Sequence, residues 1–276
     1  MECLEEEAKE LRRTIFKTIC NGGGGHLPAS FSIVELLTVL YFSVLRIDPN
    51  NPADPNRDRF ILSKGHAGVA LYAVLAEKGF FDKRHLDTYG KRGTILGGHP
   101  DMYKVPGVEA STGALGHGFP FAVGMALAGK MDKKDYRVFT ILGDGECQEG
   151  SVWEAALFAP KHRLDNLTVI IDYNKFQAMD LLEKIIPLEP LADKWRAFGW
   201  EVAEVDGHNI LLLQNLFRSL PLSENKPTLV IAHTVKGKGI SFMENVPIWH
   251  YRMPNPKELE AGCRELGMEL AEGVEK

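Results

Sequence analysis

The sequence predicts an α/β fold, a parallel β-sheet with helices on both faces, on three observations. Five short runs rich in apolar and β-branched residues, Phe60–Leu62, Val138–Leu142, Leu167–Ile171, Glu201–Val205 and Thr228–Ala232, have the length and composition of strands buried on both faces. Helical patterns at Ala67 to Glu77, Val152 to Arg163, Leu191 to Phe198 and Ile210 to Leu220 lie between them, and this alternation is what parallel strands joined by crossover helices produce. No repeat, low-complexity tract or linker interrupts the 276 residues, so residues 1–276 read as a single domain.

Taken in order, Leu4, Ala8, Leu11, Ile15 and Ile19 stand at helical spacing, with acids early and Arg12, Arg13 and Lys17 later. This charge order suits the helix dipole, and the helix should end near Gly22–Gly25. Ser32-Ile-Val-Glu35 has the spacing of a capping box and leads into Leu36, Leu37, Leu40 and Tyr41, so a second helix is expected to start there. The proline-bearing segment Asp48 to Arg59 reads as a loop. Ala110 to Gly129 carries no charge over a length that would span a membrane. Its five glycines and one proline make it a loop feeding a buried helix, with Gly124, Ala126 and Ala128 small enough for another helix to approach. The charged tail after Pro254 is expected on the surface.

Composition excludes some functions. With 45% hydrophobic and 25% charged residues the chain is globular, and a net charge of -5 without a dense basic cluster lacks the footprint of a nucleic-acid binder. Cys3, Cys20, Cys147 and Cys263 form no CxxC pair and no leader precedes them. The expectation is a reduced cytoplasmic protein without a zinc cluster or membrane anchor.

Ligands of open parallel sheets bind beyond the carboxyl ends of the strands. One strand runs into Gly143-Asp144-Gly145-Glu146 and the next into Asp172-Tyr173-Asn174-Lys175-Phe176. Gly-Asp-Gly alone equally suits an ordinary turn. With Asn174 at a neighbouring tip, one carboxylate, one amide oxygen and a backbone carbonyl supply half an octahedral shell, which phosphate oxygens and water complete at magnesium sites. Gly145 opens the next helical region, whose free N–H groups favour anions. The residues therefore point to a metal-bridged diphosphate.

Gly143-Asp144-Gly145 followed by Asn174 resembles the thiamine diphosphate motif, and the chain resembles the N-terminal, diphosphate-binding domain of transketolase. The likeness extends over Asp58-Arg-Phe-Ile-Leu-Ser63-Lys-Gly-His66-Ala, Gly98-His99-Pro100, Ser111-Thr-Gly113-Ala-Leu115-Gly116, Pro190 to Trp200, Lys236-Gly-Lys-Gly239 and Trp249-His250. It implies that Asp144, Asn174 and the main-chain oxygen of Phe176 bind Mg2+ or Ca2+, that Gly145 meets the diphosphate, and that Gly113 and Leu115 contact the aminopyrimidine side. His66 would lie beside the diphosphate and thiazolium and His99 at the donor's first hydroxyl. His26 and His250 would lie at the hydroxyl or carbonyl being cleaved or formed. Histidine suits such work because its ordinary pKa is near neutrality.

In the family the glutamate that activates the cofactor and the arginines that grip the sugar phosphate belong to pyrimidine and C-terminal domains, expected here on a separate chain. The resemblance thus implies a split transketolase, an α2β2 heterotetramer moving a two-carbon ketol unit from a ketose phosphate such as xylulose 5-phosphate to an aldose phosphate such as ribose 5-phosphate. The alternatives are an α-type subunit of a 2-oxo acid dehydrogenase, a deoxyxylulose-phosphate synthase fragment, or a non-catalytic cofactor-binding subunit.

The chain departs from the family's common forms in three places: the glycines precede His26, Asp180 replaces a frequent glycine, and Tyr251-Arg252 follows Trp249-His250. His117 replaces a common glutamine. The glycines are expected to leave room for a sugar beside His26. Glu146 and Glu149 are expected to point away from the diphosphate, Cys147 to be a small semi-buried residue, and His85, His162, His208 and His233 carry no assigned role.

Overall fold

The computed structural model describes residues 2–178 and 180–269. Strands β1 (Arg59–Leu62), β2 (Val138–Gly143), β3 (Leu167–Tyr173), β4 (Glu201–Asp206) and β5 (Thr228–His233) form one sheet in the order β1-β2-β3-β5-β4. All neighbouring pairs are parallel. β2 and β3 are fully buried, as their β-branched composition requires. They are adjacent, with Gly143 opposite Asp172, so the two candidate metal-binding turns emerge at neighbouring tips. β4 differs from expectation: it is an edge strand, as β1 is on the other side, and none of its residues is fully buried, with Glu204 and Asp206 exposed.

Two hydrophobic layers sandwich the sheet. Helices α1 (Glu2–Gly22), α2 (Leu27–Phe31), α3 (Val34–Val39), α4 (Gly68–Lys78) and α9 (Ile210–Arg218) pack with Phe139, Ile141, Ile170 and Val230 on one face. Helices α5 (Gly118–Met131), α6 (Gly150–Lys161) and α8 (Leu191–Phe198) pack with Val138, Leu142, Val169 and Ile231 on the other. After β3 the chain feeds the second layer through Leu182 of α7 (Leu182–Ile185), Leu188 and Leu191, whereas after β5 it feeds the first through Ile240, Met243 and Trp249. The two exits part to opposite faces, and a crevice opens between them, where such sheets receive ligands.

Three further expectations change. Ser32 and Glu35 form no capping box: Ser32 ends α2, its hydroxyl donating to Ala29 O (3.1 Å) and Asp172 Oδ2 (2.7 Å). Glu35 is buried against Arg12 (2.7 Å) and His208 (2.8 Å), stronger partners than a backbone amide. The segment after Pro254 lies on the surface in its described part, as expected, but as a docked helix and not a loose tail. It forms α10 (Pro256–Glu265), begun by a true capping box between Asn255 and Glu258. Its Gly262 lies against Phe16, where a Cβ would come within 2.6 Å of the ring, and Cys263 is buried; residues 270–276 lie outside the described ones. Of the small residues of α5, Ala126 is buried, but Gly124 and Ala128 are exposed, and no described atom lies within 4 Å of where a Gly124 Cβ would be. Among the described residues, no helix is long and apolar enough to cross a membrane.

Candidate active site

The strand ends and the loops above them enclose a pocket of about 430 Å3. All ten site residues named from the sequence line it: His26, His66, His99, Gly113, Leu115, Asp144, Gly145, Asn174, Phe176 and His250. Lys64, Glu146, Gln177 and Lys236 also line it, and sequence reasoning gives them no binding role. Lys64 and Lys236 stand inside family-like motifs, so their signal is present in the sequence. What the sequence does not show is that both lysines line one cavity.

Asp144 and Asn174 are held from below by main chain. Asp144 accepts hydrogen bonds from the amides of Gly145 (2.7 Å) and Lys175 (2.6 Å). Asn174 Oδ1 accepts from Phe176 N (3.1 Å) while its amide donates to Asp172 Oδ2 (3.0 Å). Lys175 takes a left-handed conformation (φ 67°), turning the chain so that the peptide groups on both sides of it serve this loop. Burial, with the Asp172 carboxylate beside it, pushes Asp144 up to about 7 against the pull of those two amides. A buried carboxylate of this kind, hydrogen-bonded only by backbone amides, gains from a bound cation.

Asp172 anchors the floor. Its carboxylate takes Lys64 Nζ, Ser32 Oγ, Asn174 Nδ2 and Thr234 Oγ1. Burial alone would raise its pKa, but the Lys64 ammonium and the two hydroxyls outweigh that and hold it below the usual carboxylate range.

The imidazoles of His26, His66 and His250 form a triangle with centroid separations of 5.0 to 5.9 Å. Lys236 Nζ donates to Phe176 O (3.3 Å) and Gln177 O (2.9 Å) and approaches His250 Nδ1 at 3.1 Å. An ammonium has only hydrogens to offer, so Nδ1 is the acceptor and the ring hydrogen of His250 sits on Nε2. His99 stands at the pocket lip, where a Cβ on Gly113 would come within 3.1 Å of its ring.

Residues 5–273 match the family described as transketolase, thiamine diphosphate binding domain. The chain belongs to this transketolase family. It is 43% identical over 276 residues to an apulose-4-phosphate transketolase subunit from Phocaeicola vulgatus, covering 100% of this chain and 98% of the relative. It is 46% identical over 268 residues to the 6-deoxy-6-sulfo-D-fructose transketolase subunit SqwG of a Clostridium species, covering 97% and 98%. The crystal structure of Campylobacter jejuni transketolase superposes with a TM-score of 0.91 at 29% identity, covering 98% of this chain and 43% of that one.

The transketolase pocket has the donor set a metal-bound diphosphate needs. Asp144, Asn174 Oδ1 and Phe176 O are hard oxygen donors. Beside them, Gln177 Nε2 is buried without a hydrogen-bond partner among the described residues. It abuts Gly145, where a Cβ would come within 3.3 Å of it. An anionic oxygen seated beside Gly145 would satisfy that orphaned donor. Glu146, expected to point away, instead turns inward: it accepts from Ser63 Oγ, Gly116 N (2.9 Å) and Gly143 N (3.1 Å). Burial raises its pKa, which lessens its repulsion of an anion. Glu149 is exposed, and Cys147 is fully buried.

The glycine run also reads differently in space. A Cβ on Gly22 would lie 2.5 Å from the Tyr89 ring, and one on Gly25, which has φ 150°, 3.3 Å from its hydroxyl. Gly24 lies against the Tyr251 hydroxyl, and the Tyr251 ring packs on His26 in a tilted arrangement with centroids 4.9 Å apart. The room made by these glycines is therefore filled by two tyrosines, Tyr89 against Gly22 and Gly25 and Tyr251 against Gly24 and the His26 ring.

Burial lowers the His26 pKa to about 4, with His99 and the two lysines adding to the effect. Burial, Lys236 and His26 lower that of His250 to about 4 as well. Both rings are neutral at pH 7. Between the ordinary value of 6.5 and about 4, the unfolded chain binds protons that the folded one does not, so these histidines remove stability as pH falls through that window. Asp144, raised to about 7, acts with the opposite sign. Comparison of the parent with His26→Gln/His250→Gln isolates the histidines: the loss of Tm between pH 6.5 and 4 is expected to be shallower in the variant. Equal slopes would refute the assignment.

Proposed function

We propose that this chain is the thiamine diphosphate-binding subunit of a two-chain transketolase, transferring a two-carbon ketol unit between sugar phosphates in the cytoplasm. The observation that carries this reading is the meeting, in one pocket, of the Asp144–Asn174–Phe176 oxygen set with the neutral triangle of His26, His66 and His250. Free thiols on all four cysteines agree with a reducing compartment.

When bound, thiamine diphosphate supplies a nucleophilic carbon and an electron sink for the transferred unit. This chain's residues do the rest of the work on its side of the site. Asp144, Asn174 and the Phe176 carbonyl hold Mg2+ or Ca2+, Gly145 and Gln177 receive the diphosphate, and Lys64 and Lys236 balance its charge. Gly113 and Leu115 face the aminopyrimidine, with His66 near the diphosphate and thiazolium. His250 donates from Nε2 to the substrate oxygen. The neutral ring of His26 accepts the hydroxyl proton as the carbon–carbon bond breaks and returns it when the new bond forms. His99 binds the donor's first hydroxyl.

The second chain would bring the pyrimidine domain, the activating glutamate and the phosphate-gripping arginines, in an α2β2 assembly. Two relatives that match this chain nearly end to end are named as subunits, and no arginine lines the pocket among the described residues. Exposed Leu115, Phe121, Leu157 and Phe158 offer apolar surface beside the pocket and on α5 and α6. The donor and acceptor of this reading are xylulose 5-phosphate and ribose 5-phosphate. Tyr251, 60% exposed against His26, favours a second reading in which the same chemistry serves a less common sugar phosphate.

Ketol transfer by the chain alone, and with its partner, tests the proposal. The general acid–base contribution of the missing glutamate is worth roughly 10²–10⁴-fold, so a rate rise of at least that order is expected on reconstitution. Full activity of the isolated chain would overturn the two-chain reading. Inactivity of the pair on every ketose phosphate would overturn transketolase chemistry.

A further inference from the structure

We infer that His208, which lies outside the pocket, is a positioning residue for Lys236 and through it for the metal-binding loop. The inference rests on the reading of the pocket as a thiamine diphosphate site. His208 follows the Asp206-Gly207 turn at the end of β4. Its Nε2 lies 2.8 Å from the amide nitrogen of Val235, and its Nδ1 lies 2.8 Å from Glu35 Oε2. A backbone amide can only donate, so Nε2 carries the lone pair and Nδ1 the hydrogen, given to Glu35. Glu35 is locked in turn by Arg12 at 2.7 Å.

The tautomer gives the ring a direction. One end is tied to a buried ion pair between α1 and α3, and the other holds a single peptide of the loop leaving β5. The next residue is Lys236, whose ammonium donates to the carbonyls of Phe176 and Gln177 and to His250 Nδ1. Phe176 O is one of the three proposed metal ligands, and His250 depends on that ammonium for its Nε2–H tautomer. A shift of the Val235 peptide therefore moves the group that sets both. Buried partners of this kind govern the geometry of the groups they hold, and their loss commonly weakens metal affinity by roughly 10–100-fold.

Two substitutions separate positioning from simple structural support. The amide of His208→Asn occupies the place of Nδ1 and keeps the bond to Glu35, but leaves Val235 without its acceptor. The longer His208→Gln brings an oxygen near the place of Nε2 and keeps the bond to Val235. Hydrogen exchange across residues 234–240 of the full-length chain is expected to quicken in His208→Asn and to stay near the parent in His208→Gln. Affinity for thiamine diphosphate with Mg2+, measured by calorimetry, should fall about tenfold in the Asn variant and less than threefold in the Gln variant. In the reconstituted pair the Asn variant should show a raised KM for thiamine diphosphate and also a lower kcat at saturation, because Lys236 sets the His250 tautomer, while the Gln variant stays near the parent in both. The reverse ranking, equal losses, or no loss of exchange protection in either variant would overturn the inference. The exchange measurement needs no cofactor, so a parent chain that bound no thiamine diphosphate but kept the exchange ranking would place the failure in the proposed function instead.

Discussion

Replacing Asp144 by alanine is expected to abolish metal-dependent binding of thiamine diphosphate. The side chain offers the only carboxylate in the proposed ligand set, and its oxygens are already aimed by the Gly145 and Lys175 amides. A divalent ion left with one amide oxygen and one carbonyl loses its charged partner, and hard cations depend on that charge. The affinity should fall by on the order of 100-fold or more, about 3 kcal/mol on the binding scale. Asp144→Asn tests charge with shape retained and is expected to lose nearly as much. Calorimetric titration with Mg2+ and again with EDTA measures both variants. Binding that survives in either variant at parental strength, or a parent whose binding ignores EDTA, would show that Asp144 holds no metal. Because Asp144 is pushed up to about 7 in the metal-free protein, its removal should disturb the empty fold far less than the holo form.

β1, β2, β3 and β5 were legible because each is a run of apolar residues with one structural solution, a strand in a covered parallel sheet, whereas β4 was legible as a strand but its place at the edge was not. Asp144 and Asn174 were legible because they stand where two neighbouring strands end, after β2 and β3, whereas the four histidines, Gly113 and Leu115 were legible only through the family resemblance. What stayed hidden are pairings between residues distant in sequence. Ser32 and Glu35 carry the spacing of a helix cap, yet Asp172 lies 140 residues from Ser32 and His208 173 residues from Glu35, and those contacts claim the side chains. The same holds for Tyr89, which fills the space under Gly22 and Gly25. Local pattern cannot anticipate a carboxylate's partner when it arrives from another layer of the fold. Glu146 shows the physical limit most plainly. Electrostatics read along the chain sends it away from an anion, whereas three donors assembled by folding turn it inward.

Breaking the Lys64–Asp172 pair should have the largest effect on stability. Both side chains have 0% exposure, so neither ion has water to replace a lost partner. Lys64→Met leaves the Asp172 charge facing Ser32, Thr234 and the Asn174 amide, none of which is cationic. Removal of one member of a buried pair typically costs about 3–5 kcal/mol, a large share of the 5–15 kcal/mol or so that holds a domain together. Lys64→Met/Asp172→Asn removes both charges and should recover most of that loss, because the asparagine oxygen can keep the bond from Thr234 while its NH2 donates to the Ser32 hydroxyl, whose own hydrogen goes to Ala29 O. Urea unfolding of the parent, the two single variants and the double variant at pH 7 gives the coupling directly. The stabilising charge of Asp172 is present above the ordinary carboxylate pKa of 3.8, since its folded value lies lower, and is lost as pH falls through that folded value. A Lys64→Met cost below about 1 kcal/mol would refute the buried-charge account. The pair also joins stability to function: Asp172 orients the Asn174 amide whose other end faces the metal position. The double variant should therefore regain its fold while binding thiamine diphosphate and Mg2+ more weakly than the parent. Floor and site would then be separable, the first depending on charge balance and the second on where Asn174 points.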